Sequence, residues 1–223
     1  MRGLDHRRIF AVGDIHGCHG KLERLLDRLP FLPERDTLVF LGDYIDRGPQ
    51  TREVIEALIG LKHRWPATVF LLGNHELALL EYARLDDPNL DMLRSLRPLG
   101  VEETLASYGH ADLGLLKRLA FLPREHREFL EGLQPFHRDG KHLFVHAGVL
   151  PGQRPEDTPV EHLVSVRHRF LEHRSAQDDV VVFGHTPFET PFLAPGKIGI
   201  DTGAVYGNLL TAVELPGPIF HHA

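Results

Sequence analysis

Residues 9–17 read Ile9-Phe10-Ala11-Val12-Gly13-Asp14-Ile15-His16-Gly17. An apolar run of four residues stopped by glycine predicts a strand buried on both faces. After it Leu22, Leu25, Leu26 and Leu29 recur at i, i+3, i+4 and i+7, the stripe of an amphipathic helix. The same unit returns twice. Thr37 to Leu41 predicts a strand ending at Gly42, with Val54, Ile55, Leu58 and Ile59 on the next helix; Thr68 to Leu72 predicts one ending at Gly73, followed by Leu77, Leu80 and Tyr82. Alternating strands and helices imply parallel strand pairs with right-handed crossovers, hence an α/β fold.

Residues 86–140 break the rhythm, with Pro88, Pro98, Pro123 and Pro135 punctuating short helical pieces, and are expected to form a mostly helical insertion or cap in a single domain spanning 1–223. Strands are expected again at His142 to His146 and Val180 to Phe183, with a helix near 159–173 between them, then at 192–193, 197–200 and 209–215. The 223 residues are 42% hydrophobic and 25% charged, figures of an ordinary globular chain able to bury a core. A formal charge of −6 argues against a nucleic-acid or anionic-lipid partner. With Cys18 alone there is neither an internal disulfide nor a Cys-rich zinc site. The start lacks a signal-peptide apolar region and no run approaches membrane length, so a cytoplasmic location is expected.

Chemistry concentrates where strands end. Gly42-Asp43-Tyr44-Ile45-Asp46-Arg47-Gly48, Gly73-Asn74-His75-Glu76, His146-Ala147-Gly148 and Gly184-His185-Thr186 join the turn at 13–17. The carboxyl ends of parallel strands share one sheet edge, so these turns should converge. Oxygen and imidazole donors without thiolate suit manganese, iron or zinc. The donor set is sufficient for two ions: Asp14 and His16 on one, Asn74, His146 and His185 on the other, and Asp43 bridging. Arg47 offers a fork for phosphate oxygens, and His75 oriented by Asp46 is a general acid for a leaving group. Together these predict phosphoester hydrolysis.

The five motifs, in this order, resemble the phosphoprotein phosphatase branch of the calcineurin-like metallophosphoesterases, and in particular bacterial Ser/Thr protein phosphatases similar to that of bacteriophage lambda; Ile200-Asp201-Thr202-Gly203-Ala204 also fits. The resemblance implies two mixed β-sheets packed as a sandwich flanked by helices. It also implies two divalent ions, manganese first with iron or zinc as alternatives, and direct attack on phosphoserine or phosphothreonine, with phosphotyrosine left open, in a protein substrate by a hydroxide held between them. Carried over by motif, the metal ligands are Asp14, His16, Asp43, Asn74, His146 and His185, the protonating pair is Asp46 and His75, and Arg47 and Asn74 contact phosphate. A second phosphate-binding arginine falls at Arg167, favoured over Arg169. The physiological substrate, the role of 86–140 and any oligomeric state stay open; none requires an oligomer.

Diadenosine tetraphosphate hydrolases share the metal motifs and are the enzymatic alternative. That group usually has a small residue where this chain has Asp46, which leans the expectation toward protein phosphatase. A metal-binding interaction module is the non-enzymatic alternative. Plainer readings compete at single residues: Asp14 and Asp43 as helix caps, Glu76 as a cap or ion-pair partner, Tyr206 as packing or rim, and His63, His110, His126 and His137 as surface histidines. Cys18 and Arg24 have the C-x5-R spacing of a cysteine phosphatase, but Lys21 stands where that loop has glycine. Gly20-Lys21 is no P-loop, because Ile15 occupies the first glycine position.

Overall fold

The computed structural model describes residues 7–86, 90–173 and 179–223; the extreme amino terminus and Pro88 lie outside the described residues. The three repeated units are β1 (Ile9–Val12), α1 (His19–Arg28), β2 (Thr37–Phe40), α2 (Thr51–Arg64), β3 (Val69–Phe70) and α3 (Asn74–Arg84). Helical pieces α4 (Leu90–Leu96), α5 (Val101–Ser107) and α6 (Arg124–Glu131) follow, then β4 (Phe136–Asp139), β5 (His142–Val145), α7 (Val160–Leu163), α8 (His168–Leu171), β6 (Val180–Phe183), β7 (Phe192–Ala194), β8 (Lys197–Gly199), β9 (Thr211–Leu215) and β10 (Ile219–His222).

The strands form two five-stranded sheets, ordered β10-β9-β1-β2-β3 and β4-β5-β6-β8-β7. β1, β2 and β3 are parallel neighbours, as are β5, β6 and β8, while the outer pairings are antiparallel. Both sheets are therefore mixed, as expected. Side chains alternate between faces, and the apolar runs have two jobs. Ile9, Ala11, Val39 and Leu41 pack with Phe144, Val182, Ile198 and Val213 in the seam between sheets. Phe10, Val12, Leu38 and Phe40 face the opposite way, onto Leu22, Leu25, Ile55 and Leu58 of α1 and α2. The outer face of the second sheet buries Val145, Val181 and Phe183 against Leu163 and Phe170. The helical pieces share the first core through Val101, Leu105, Leu116, Phe129 and Leu130.

Four expectations need correction. Strands resume at Phe136, not His142, because β4 is a half-exposed edge strand whose Phe-His-Arg-Asp sequence carries no apolar run. β10, where no strand is expected beyond residue 215, pairs with β9 from Ile219 to His222. The helix near 159–173 is two short helices, interrupted where Arg167 takes φ −125°, ψ −95°. His126 is buried and accepts a 2.8 Å hydrogen bond from the Tyr108 hydroxyl or donates one to it, whereas His63 and His110 are exposed as expected.

Asp36 clips the entrance to β1. Its buried carboxylate accepts from Arg8 Nη2 at 2.6 Å, Arg8 Nε at 3.2 Å and the Leu32 amide at 2.9 Å. Burial raises its pKa, but the Arg8 and Leu32 hydrogen bonds outweigh this and hold it below the usual carboxylate value. A depressed acid stabilises the fold above its unfolded pKa and loses that contribution as pH falls. Asp36→Asn should cost about 1–3 kcal/mol at neutral pH. In urea melts the gap from wild type should close as pH drops below about 4.

Candidate metal centre

The parallel strands deliver their carboxyl-terminal turns to one edge of the sandwich. Asp14 and His16 follow β1, Asp43 follows β2 and Asn74 opens α3 after β3; His146 follows β5 and His185 follows β6. Both sheets thus contribute. Two groups of potential metal-binding atoms lie within 4.8 Å of one another, His16 with Asp43 and His75, and Asp43 with His146 and His185. Asp43 belongs to both. Its Oδ2 is 3.4 Å from His16 Nε2, 3.4 Å from His146 Nε2 and 3.9 Å from His75 Nε2.

The backbone is strained to achieve this. His16, Asp43, Asp46, Arg47 and His185 all have φ between 45° and 68°, a left-handed conformation that non-glycine residues rarely adopt. Such residues cost on the order of 1–3 kcal/mol each and persist where surrounding contacts impose them. Glu76 supplies several of those contacts. Its buried carboxylate accepts the amides of Asp43 (3.0 Å), Tyr44 (2.8 Å), Ile45 (3.1 Å) and Gly73 (3.1 Å). It caps α3 as expected and also ties the turn after β2 to that helix. At Gly184 a Cβ would stand 2.1 Å from Asp14 Oδ1, so only glycine lets that carboxylate accept the His185 amide, at 3.0 Å to Oδ2.

Hydrogen bonding sets the state of each histidine. Arginine can only donate. Arg47 Nη1 donates to His16 Nε2 at 2.5 Å and Arg167 Nε to His185 Nε2 at 2.9 Å, so those nitrogens present lone pairs. The opposite nitrogens donate, His16 Nδ1 to the Ile45 carbonyl and His185 Nδ1 to Asn74 Oδ1, each at 2.8 Å. Burial pushes both rings down to about 3, the charge of His146 adding to this at His185. His146 behaves oppositely: burial pulls it down, but the Asp43 charge outweighs that and lifts it to about 10. Its Nδ1 donates to the Leu41 carbonyl at 2.8 Å. A neutral imidazole pinned by a backbone carbonyl, as His16 is by Ile45, is the usual form of a metal-ligating histidine. Asp14 lies outside both groups; burial and the neighbouring Asp201 charge raise it well above an ordinary carboxylate. Two acidic side chains crowded together and lone pairs converging on a shared anion fit divalent cations better than a proton network alone.

The remaining predicted residues also gather here. Asp46 Oδ2 accepts from His75 Nδ1 at 2.8 Å, and His75 Nε2 is buried with no hydrogen-bond partner. Burial pulls His75 down, but Asp43 and Asp46 outweigh it and raise the ring. Arg167, not Arg169, reaches the histidines, and the break between α7 and α8 is what turns it there. Exposed Tyr206 stands at the rim, the Arg47 guanidinium 5.7 Å from its ring centre. Asp201, in the Gly-Ile-Asp-Thr-Gly turn after β8, is a further acid at the site, its carboxyl pushed up by burial. Thr104, to which no motif in the sequence draws attention, donates from Oγ1 to Asp46 Oδ1 at 2.6 Å. Half-buried Cys18 precedes α1, and burial pushes its thiol up, against thiolate chemistry.

A seam-edge cluster of aspartates, histidines and arginines on a two-sheet sandwich defines a metal-dependent phosphoesterase. The chain belongs to the calcineurin-like phosphoesterase family, which it matches over residues 7–207. It is 35% identical to a symmetrical bis(5'-nucleosyl)-tetraphosphatase of Paracidovorax citrulli over 80% of this chain, of which it spans 57%. It is 30% identical to an asymmetrical bis(5'-nucleosyl)-tetraphosphatase of a Geobacillus species, covering 94% of this chain and 91% of that protein. A crystal structure described as that of a candidate diadenosine tetraphosphatase superposes with a TM-score of 0.71 at 24% identity, covering 99% of this chain and 94% of the other. Among the described residues no helix is long and apolar enough to cross a membrane.

Ligation needs the His146 lone pair, and a ring lifted to about 10 carries a proton at neutral pH. If His146 is a ligand, as its motif leads us to expect, loading with a divalent ion such as Mn²⁺ should expel that proton, and affinity should rise with pH. Calorimetry at pH 7.5 in buffers of different ionisation enthalpy should show at least about one proton released on loading; no release would remove His146 from the ligand set.

Proposed function

We propose that this protein hydrolyses dinucleoside polyphosphates, diadenosine tetraphosphate first among them, in a metal-dependent reaction. The observation that carries this reading is the match to curated bis(5'-nucleosyl)-tetraphosphatases, one of them along nearly its whole length. They favour the second of the two enzymatic expectations over the first. The arginines support it too: Arg47 lies on the His16 side of Asp43 and Arg167 on the His185 side, an arrangement suited to a run of several phosphates.

In this reading Asp14, His16, Asp43, Asn74, His146 and His185 are the residues that would hold two divalent ions. Manganese is our first choice, iron or zinc the others. When bound, such ions activate water and offset charge developing on phosphorus. The chain's own residues do the rest. Arg47 and Arg167 leave their histidine partners and grip phosphate oxygens in bidentate fashion. Asn74, whose Oδ1 lies 3.1 Å from His146 Nε2, turns its amide toward the same phosphate. Asp46 fixes the His75 tautomer so that Nε2 carries a proton toward the departing oxygen.

That pair favours a second reading, phosphomonoesterase activity on phosphoserine or phosphothreonine. Cleaving an anhydride expels a nucleotide phosphate, a stable anion with little need of a proton, whereas an alkoxide cannot leave without one. The buried Asp46–His75 pair, 2.8 Å apart, suits the harder task.

Purified protein with Mn²⁺ should convert diadenosine tetraphosphate to two ADP, or to ATP and AMP, as resolved by chromatography. Turnover of phosphoserine peptides with none of the dinucleotide would put the second reading first. On an ester with a poor leaving group His75→Asn should lower kcat by about 10²–10⁴ and keep its metal, while Asp43→Asn should lose both. Loss of metal from the His75 variant would make that residue a ligand instead.

A further inference from the structure

Asp46 and Arg47 are consecutive left-handed residues, with φ of 68° and 65°. A pair of this kind needs an external restraint. It comes from residues 100–104, where α5 begins, in the helical stretch whose role the sequence leaves open. Thr104 Oγ1 accepts the Asp46 amide at 2.9 Å and donates to Asp46 Oδ1 at 2.6 Å. The Gly100 carbonyl accepts the Arg47 amide at 3.4 Å. Gly100 has φ 91°, and a Cβ there would stand 2.6 Å from the Arg47 nitrogen, so the two segments are in direct backbone contact. Thr104 is 1% exposed, which leaves water no access to compete for these bonds.

The two oxygens of Asp46 are thereby assigned separately, Oδ1 to Thr104 and Oδ2 to His75 Nδ1. We infer that Thr104 is a positioning residue for proton delivery: α5 clamps the Asp46–Arg47 turn and, through one hydroxyl, aims the Asp46 carboxylate at His75. The inference rests on the reading of Asp46–His75 as the proton-delivering pair. Without the hydroxyl the carboxylate loses a donor, its amide loses an acceptor, and nothing stops the two oxygens from exchanging places beside the imidazole. The deficit should then fall on the step in which the bond from phosphorus to the leaving oxygen breaks, its electron pair remains on that oxygen, and the oxygen takes the His75 Nε2 proton. Water supplies the new oxygen on phosphorus.

The test compares Mn²⁺-loaded wild type, Thr104→Val and Thr104→Ser on phenyl phosphate, whose phenoxide needs a proton to leave, and on 2,4-dinitrophenyl phosphate, whose leaving group does not. Thr104→Val should lose about tenfold more kcat on the first ester than on the second, the size of one lost hydrogen bond to a charged group expressed as a rate. Thr104→Ser should restore the ratio, and bound metal should match wild type in both. Should Thr104→Val not fold, Thr104→Ala removes the same hydroxyl without overfilling the site and is read by the same ratio. Equal losses on the two esters, no rescue by serine, loss of metal, or a wild type that cleaves only the dinitrophenyl ester would each overturn the inference. The ratio can be measured whether or not diadenosine tetraphosphate is a substrate, so failure of that substrate assignment is a separate outcome.

Discussion

A single buried anion organises this molecule. Asp43 is 1% exposed, and three imidazoles crowd its Oδ2 at 3.4–3.9 Å. A carboxylate in such a place is unfavourable unless positive charge or donors surround it. Burial pushes it toward protonation, but the histidines, His146 foremost, outweigh this and hold it well below the ordinary value. The same charge keeps His146 protonated while His16 and His185, each facing a guanidinium, stay neutral. Protonation at the site is thus distributed by one carboxylate. The strained turns, the Glu76 brace and the glycine-lined approaches are the means by which the backbone holds it there.

Much of this was legible in the chain because the informative signals were local. An apolar run ending in glycine followed by a leucine stripe states both a strand and its crossover, and the strand ends must then share an edge. By that logic Asp14, Asp43, Asn74, His146 and His185 belong to one rim. Other features depend on tertiary context. β4 and β10 are four-residue edge strands without a continuous apolar run, visible only through their pairing with β5 and β9. The interruption at Arg167 has no proline or glycine within the helical stretch to announce it. His126 is buried because Tyr108, 18 residues earlier, covers it. Thr104 depends on a contact 58 positions away in sequence.

Substrate class was the least legible property. The motifs describe how phosphorus is attacked and leave open what departs from it. Asp46, the residue on which the protein-phosphatase expectation leaned, is present, paired and buried, yet the curated relatives act on dinucleoside tetraphosphates by name. Acid assistance is most needed for alkoxides, and its presence does not prevent a scaffold from accepting an easier leaving group. The rim, where the exposed Tyr206 ring lies 5.7 Å from the Arg47 guanidinium, is the surface any leaving group would meet.

The site straddles the seam: Asp14, His16, Asp43 and Asn74 come from the first sheet, His146 and His185 from the second. The sheets otherwise meet through non-directional apolar packing, which resists separation better than it resists sliding. In a chain with one cysteine, no disulfide can pin them. An ion held from both sides, as proposed above, would act as a rivet, adding its binding free energy to the cohesion of the sandwich. Catalytic competence and mechanical integrity would then be drawn from the same few bonds.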